Sequence, residues 1–243
     1  MSQDSVLVSK VWNYAHVLRD QGISYGDYVE QITFLLFLKM DEERSGLLGE
    51  PSIIPEAYRW ASLRDLEGNE LRTHYEETLA KLGREKGIIG TIFKGAINKI
   101  TTPANLKKLI GLINAETWIG IGVDVKGAIY EGLLERNASE VKSGAGQYFT
   151  PRPLIDAIIT VLDPKVGETV CDPSCGTGGF LLSAYEHMKT QTQDKEKIRK
   201  LREHDIKGID IVEDVVRLCA MNLYLHGIGN GVSPVRQADA LAA

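Results

Sequence analysis

Four short groups of residues, in chain order, have the types needed to hold a small polar ligand on backbone amides and carboxylates. The first is Gln147-Tyr148-Phe149-Thr150-Pro151, an aromatic and polar loop that opens a helix. The second is Asp172-Pro173-Ser174-Cys175-Gly176-Thr177-Gly178-Gly179-Phe180, which joins an apolar strand to an apolar helix through small residues. The third is Lys207-Gly208-Ile209-Asp210-Ile211, an acid at the end of the next strand, and the fourth is Ala238-Asp239-Ala240-Leu241. A strand, a glycine turn and a helix together present N–H groups to a ligand, and in an open parallel sheet ligands bind at the carboxyl ends of the strands. Taken alone, the glycine string reads equally well as a plain turn.

The carboxylate of Asp210 suits a ribose, because it accepts hydrogen bonds from both vicinal hydroxyls and repels a 2′-phosphate. Such an acid is expected about 20 residues after the glycine loop. The spacing from Gly179 to Asp210 is longer, and the polar stretch from Thr190 to Asp205 accounts for the excess. The full dinucleotide pattern is missing, since Ala184 stands further along where a glycine belongs. There is no P-loop either, because Gly90 to Gly95 is followed by Ala96 where lysine is required. Asp239 is the weaker of the two acids. Tyr148, Phe149 and Phe180 serve equally as core packing or as cofactor contacts. Cys171 and Cys175 read as small packing residues.

These groups need elements to position them. From Ser143-Gly144-Ala145-Gly146 onward, strands alternate with helices, which predicts a parallel α/β sheet. Helices are expected over 150–162, 178–188 and 213–225, the last ended by His226-Gly227. Strands are expected over 168–172, 206–211 and within 234–241, and the polar stretch 190–205 should add an exposed helix. Residues 1–143 read as mostly helical. Helices are predicted over Ser5 to Gln21 and from Ser24 through Met40, the latter before the charged run Asp41-Glu42-Glu43-Arg44. The second of these is apolar nearly all round and belongs in a core. A loop-rich stretch over 45–70 precedes a helix over 71–82 ended by Gly83. Further helices start at Thr102-Pro103 and at Asp124. Tyr58 and Trp60 can stack on bases, but anchoring their loop to the core is the simpler reading.

Bulk properties bound the possibilities. The 243 residues carry a net charge of −5 and are 43% hydrophobic and 25% charged, an ordinary globular composition. There is no overall basic footprint, so any nucleic-acid contact requires a local basic face or a partner subunit. Three cysteines suggest neither a disulfide framework nor a zinc site, and no metal centre is expected. The five histidines form no visible pair. The longest apolar run is too short to span a bilayer and no signal peptide opens the chain, so a cytoplasmic protein with no membrane contact is expected.

Together the four groups resemble the ordered motifs of an S-adenosylmethionine-dependent methyltransferase acting on adenine N6. Gln147, Tyr148, Phe149, Thr150 and Pro151, continued by Arg152-Pro153-Leu154, resemble the motif that packs on the methionine part of the cofactor. Asp172, Pro173, Ser174, Gly176, Thr177, Gly178, Gly179 and Phe180 resemble its glycine turn. Asp210, followed by Ile211, resembles the ribose-binding acid, and Asp239 the acid near the cofactor's adenine. With Trp118-Ile119-Gly120 and Gly127 to Arg136 leading into Gly146, nearly the whole chain resembles the modification subunit of type I restriction–modification systems. The resemblance implies a helical domain over 1–143 followed over 144–243 by the first, cofactor-binding part of a Rossmann-like methyltransferase fold. It also implies S-adenosylmethionine as cofactor, double-stranded DNA as substrate, and a hetero-oligomer with specificity and restriction subunits.

The family presents its flipped-out target adenine to an Asn/Asp-Pro-Pro-aromatic motif. No such motif occurs in these 243 residues. No catalytic residue is therefore assigned, and the chain is expected to be a fragment of a longer protein that does not methylate DNA by itself. By analogy with the family, the absent strand would pair beside the strand ending at Asp172. Two alternatives remain open at this level: a non-catalytic helical module for assembly or DNA interaction, and the cofactor half of an RNA or protein-amide methyltransferase.

Overall fold

A computed structural model describes residues 25–49, 51–118, 150–229 and 231–242, with isolated positions 13 and 23. The chain divides into two compact units, residues 1–85 with 93–139 and residues 86–92 with 140–243. The helices expected from Ser5 and from Asp124 lie outside the described residues, apart from position 13, which is helical.

The first unit is organised by α1, Tyr25–Leu48. Every residue from 31 to 41 is buried, as an apolar circumference requires. The charged run expected to end this helix lies within it instead. The reason is that buried polar side chains of α1 satisfy loops that reach it from elsewhere. Asp41 accepts hydrogen bonds from the Ser52 hydroxyl and from the Ile53 N–H. Glu43 accepts the Trp118 N–H at 2.7 Å and pairs with Lys39 at 3.4 Å. Both ends of the Gln31 amide are used, its Nε2 donating to the Ile97 carbonyl and its Oε1 accepting from the Lys99 N–H.

A 3-10 turn at Glu56–Tyr58 and the short helix α2, Trp60–Arg64, occupy the stretch read as loop-rich. Trp60 is fully buried and its indole N–H donates to Asn114 Oδ1 at 2.9 Å, so it anchors the core. Tyr58 stacks on His74. Helix α3, Gly68–Leu82, starts three residues before its expected position. Helix α4, Gly87–Phe93, carries no capping signal and has no counterpart among the expected elements. Its last residue, Phe93, belongs to the first unit and packs against Phe34 and Phe37 of α1. Helix α5, Pro103–Asn114, begins with proline in its first turn, where the missing N–H costs nothing.

In the second unit the order is α6 (Arg152–Leu162), β1 (Val170–Asp172), α7 (Gly179–Lys189), α8 (Lys195–Lys200), β2 (Ile206–Asp210), α9 (Glu213–Leu225) and β3 (Val235–Gln237). The three strands form a parallel sheet in the order β1-β2-β3, which leaves β1 at an edge among the described residues. Val170 pairs with Ile206, and Gly208 with Val235. Leu181, Leu182, Met188, Ile206, Val216 and Leu223 are buried in one cluster that joins α7, β2 and α9. On α6, Ile155 and Ile159 pack with Ala184 of α7.

Part of the polar stretch after α7 departs from expectation. One turn of π-helix, Leu201–Asp205, follows α8, and both Leu201 and Asp205 are buried, so this stretch is not wholly a solvated face. Residues 86–92 also belong to this unit. The Ile88 N–H donates to the Gly231 carbonyl at 3.4 Å, and the Ile88 side chain lies beside Gly229. No helix of the described residues is long and apolar enough to cross a membrane.

Candidate cofactor site

Parallel pairing sets the geometry of the site. Asp172, the last residue of β1, stands opposite Gly208, and Asp210, the last of β2, stands opposite Gln237, the last of β3. The turn after β1, Asp210 and the segment leading to Asp239 therefore meet at the carboxyl ends of the three strands. Asp172 is half-buried and its Oδ1 accepts the Ser174 N–H at 3.0 Å, which starts the turn. Pro173 and Ser174 are exposed, while Gly176 and Thr177 are partly exposed.

The turn is held on both sides. The Cys175 N–H donates to the Ile209 carbonyl at 2.9 Å, and the Gly178 N–H to the Cys175 carbonyl at 2.8 Å. Gly176 and Gly178 have φ of +53° and +89°, a region closed to most side chains. Their surroundings differ. A Cβ at Gly178 would lie 2.8 Å from Cys219 Sγ, so that glycine lets α9 approach the turn. A Cβ at Gly176 would meet nothing within 4 Å, so the space above its backbone is open. Gly179 begins α7 against Ile155. Phe180 is partly buried and packs with Ile155, Ile159 and Ala184, the packing role rather than a purely ligand-facing one.

Asp210 is half-buried. Its Oδ2 accepts the Gly176 N–H at 3.1 Å and its Oδ1 the Val212 N–H at 3.0 Å. Each carboxylate oxygen has two acceptor positions, so one on each remains for a ligand hydroxyl. Ile211 is 65% exposed beside it. Asp239 is exposed, and its Oδ1 accepts the Leu241 N–H. It follows Ala238, whose N–H donates to the Asp210 carbonyl at 3.0 Å. Thr150 is partly buried ahead of α6; Gln147, Tyr148 and Phe149 lie outside the described residues. Among the described residues no group of three or more His, Cys, Asp or Glu side chains is placed to hold a metal ion.

This arrangement suits a cationic nucleoside. Open space above a glycine backbone admits a ligand, Asp210 retains acceptors for two hydroxyls, and the carboxylates at the strand ends favour positive charge. Two supporting residues carried no sequence signal that singled them out. Cys219 lies under Gly178, and Asn222 Nδ2 donates to the Thr177 carbonyl at 2.9 Å.

Comparison with known proteins covers both units. Residues 122–243 match the N-6 DNA Methylase family, and residues 7–113 match the HsdM N-terminal domain. The chain is 41% identical over 232 residues to the type I restriction enzyme StySPI methylase subunit of Salmonella potsdam, covering 91% of this chain and 43% of that protein. It is 40% identical to the EcoKI methylase subunit of Escherichia coli K12, with the same coverage. The chain thus spans less than half the length of these curated relatives. Among solved structures, a chain determined to explain complex assembly and conformational transition of the type I R-M system superposes with a TM-score of 0.77 at 29% identity, covering 99% of this chain and 52% of that one. A type I methyltransferase subunit from Streptococcus thermophilus superposes with a TM-score of 0.71 at 16% identity, covering 99% and 59%, a likeness of fold alone.

Proposed function

Because the chain belongs to the N-6 DNA methylase family, we propose that its second unit is the cofactor-binding part of a type I modification subunit. In this reading S-adenosylmethionine is the methyl donor and adenine N6 in double-stranded DNA the acceptor. The observation that supports the reading best is the joining of the glycine turn to Asp210 through the Gly176 N–H, with Asp239 one residue beyond the Ala238 amide that bonds the Asp210 backbone.

The residues divide the work of binding. Asp210 accepts the ribose hydroxyls on its two remaining acceptor positions, and Ile211 covers one side of the adenine. Asp239 lies near the adenine's polar edge. The glycine turn, from Asp172 through Gly179, lets the ligand approach the backbone, and the motif from Gln147, Tyr148 and Phe149 to Thr150 is assigned to the methionine end. Bound S-adenosylmethionine supplies an electrophilic methyl group on a sulfonium sulfur. Transfer of that group needs alignment more than acid–base groups, and alignment is what a rigid turn contributes.

The acceptor side is different. The 243 residues contain no Asn/Asp-Pro-Pro-aromatic motif, so they do not methylate DNA alone. Specificity and restriction subunits complete the complex in the cytoplasm, and base reading by a specificity subunit is consistent with this chain's net charge of −5.

Isothermal titration of S-adenosylmethionine into the wild-type chain and Asp210→Ala tests the cofactor assignment. Saturable heat is expected from the first and a large loss from the second. No heat from either, with both chains folded by circular dichroism, removes the assignment. Methyl incorporation into DNA by the 243 residues alone would refute the claim that they are inactive.

A further inference from the structure

We propose that Asn222 is a positioning residue for the cofactor site, the α9 half of a clamp on the glycine turn whose β2 half is the Ile209 carbonyl and Asp210. The inference rests on the cofactor reading given above. Its starting point is a buried amide with one unused end. Asn222 is 1% exposed, its Nδ2 donates to the Thr177 carbonyl at 2.9 Å, and its Oδ1 has no hydrogen-bond partner among the described residues. A backbone carbonyl can only accept, so the NH2 end of the amide must face Thr177 and the oxygen is the end left over. Buried polar groups are almost always paired, and an asparagine kept at this cost in an otherwise apolar run calls for a reason. Asn222 follows Met221 and precedes Leu223, Tyr224 and Leu225, all buried.

The reason lies in what the other end of the turn does. The Gly176 N–H donates to Asp210, and one residue later the Thr177 carbonyl accepts from Asn222. Asp210 and Asn222 are the ends of one continuous strand-to-helix segment. A donor and an acceptor on adjacent residues of the turn are thus captured by groups on β2 and α9. Next to this, Cys219 and Leu223, one helical turn apart on α9, stand under Gly178. Asp210 both clamps the turn and is assigned to the ligand, so its removal confounds two effects. Asn222, buried below the turn, acts only through Thr177. It is the position where positioning can be separated from contact.

Asn222→Leu keeps the branched shape of the side chain, although its methyls are bulkier than the amide N and O, and it deletes both the donor and the unpaired oxygen; Asn222→Ala deletes the same groups without added bulk. The full chain is isotopically labelled, and wild type and Asn222→Leu are compared without ligand and then titrated with S-adenosylmethionine. Without ligand, the Thr177 carbonyl ¹³C resonance should shift and the Gly176 to Gly179 amides should exchange faster, while amides of β2 stay protected. On titration, affinity should fall about tenfold, the consequence expected from loss of one buried hydrogen bond that preorganises the site.

The outcomes separate cleanly. Unchanged turn exchange in Asn222→Leu overturns the clamp, whether or not the ligand binds. Altered exchange with undiminished affinity overturns the positioning role. Altered exchange with no ligand binding even in wild type removes the cofactor reading and the positioning role built on it, while leaving the clamp in place. If Asn222→Leu fails to fold, Asn222→Ala is used; failure of both makes Asn222 a folding determinant and overturns the assignment.

Discussion

Asp210 Oδ2 accepts the backbone N–H of Gly176 at 3.1 Å, so the acid at the end of β2 and the turn after β1 form one hydrogen-bonded unit. Asp210→Ala therefore removes a ligand acceptor and releases the turn. Asp210→Asn keeps one acceptor oxygen but puts an NH2 group where the other N–H must donate. Both variants should weaken S-adenosylmethionine binding by about 30-fold or more, from roughly 2 kcal/mol for hydrogen bonds to a charged group. Titration calorimetry checks this, and near wild-type affinity in Asp210→Asn would show that the carboxylate charge is unimportant.

The two left-handed glycines should respond differently to alanine. Gly178→Ala meets the positive φ penalty and a contact 2.8 Å from Cys219 Sγ, whereas Gly176→Ala meets the φ penalty alone. In urea unfolding, Gly176→Ala should cost about 1–2 kcal/mol, and Gly178→Ala should cost more than that by about 1 kcal/mol or above. Gly176→Ala should nonetheless be the more damaging of the two relative to its stability loss when ligand binding is measured, because its Cβ enters the open space. Equal stability of the two variants would argue that α9 does not press on the turn.

Thiol chemistry reports the packing under the turn. A hydrogen bond with Cys175 and then burial push the Cys219 thiol well above its ordinary range, while Cys171 is exposed. Iodoacetamide at pH 8 should modify Cys171 in the native chain, with Cys175 and Cys219 reacting only after denaturant is added. Mass spectrometry of the alkylated peptides distinguishes the three sites. Rapid native modification of Cys219 would mean that α9 opens readily.

Acid stability has a local source at the end of α6. Asp163 holds φ at 45°, and its carboxyl is kept below the usual range first by the hydrogen bond from Lys165 and then by that from His187. A depressed folded value means the stabilisation is fully present above the ordinary carboxylate range. It is lost as the pH falls through the lower folded value. Asp163→Asn tolerates the same backbone conformation and removes the charge. It should lower Tm modestly at pH 7 and leave it unchanged in strong acid. A gap in Tm that persists at acid pH would assign the effect to the backbone instead.

What could be read from the chain and what could not follows from the range of the interactions. The glycine turn and Asp210 were legible because strand, small residues and helix follow one another locally, and the parallel pairing then brings them together. Helix α5 was legible from Thr102-Pro103 for the same reason. The continuation of α1 through Asp41 and Glu43 was not, because the groups that satisfy these acids lie at Ser52, Ile53 and Trp118. Asn222 escaped because its partner is 45 residues away. Nothing in the seven residues of α4 announces a helix, and only tertiary burial of Ile88, Ile89 and Ile92 gives it a reason to form.

The assignment of residues 86–92 to the second unit gives the chain an interleaved assembly order. Ile88 must meet Gly229 and Gly231 across more than half the chain, a long-range closure that is slow relative to the adjacent-strand contacts of β1 and β2. A ribosome releasing this protein makes that helix early, well before its seat exists. An excised piece beginning at residue 140 would present the Gly229 and Gly231 loop without the isoleucine that lies against it. Supplying a peptide spanning residues 86–92 in trans would then restore the contact only at high concentration, since the covalent chain is what keeps its effective concentration up.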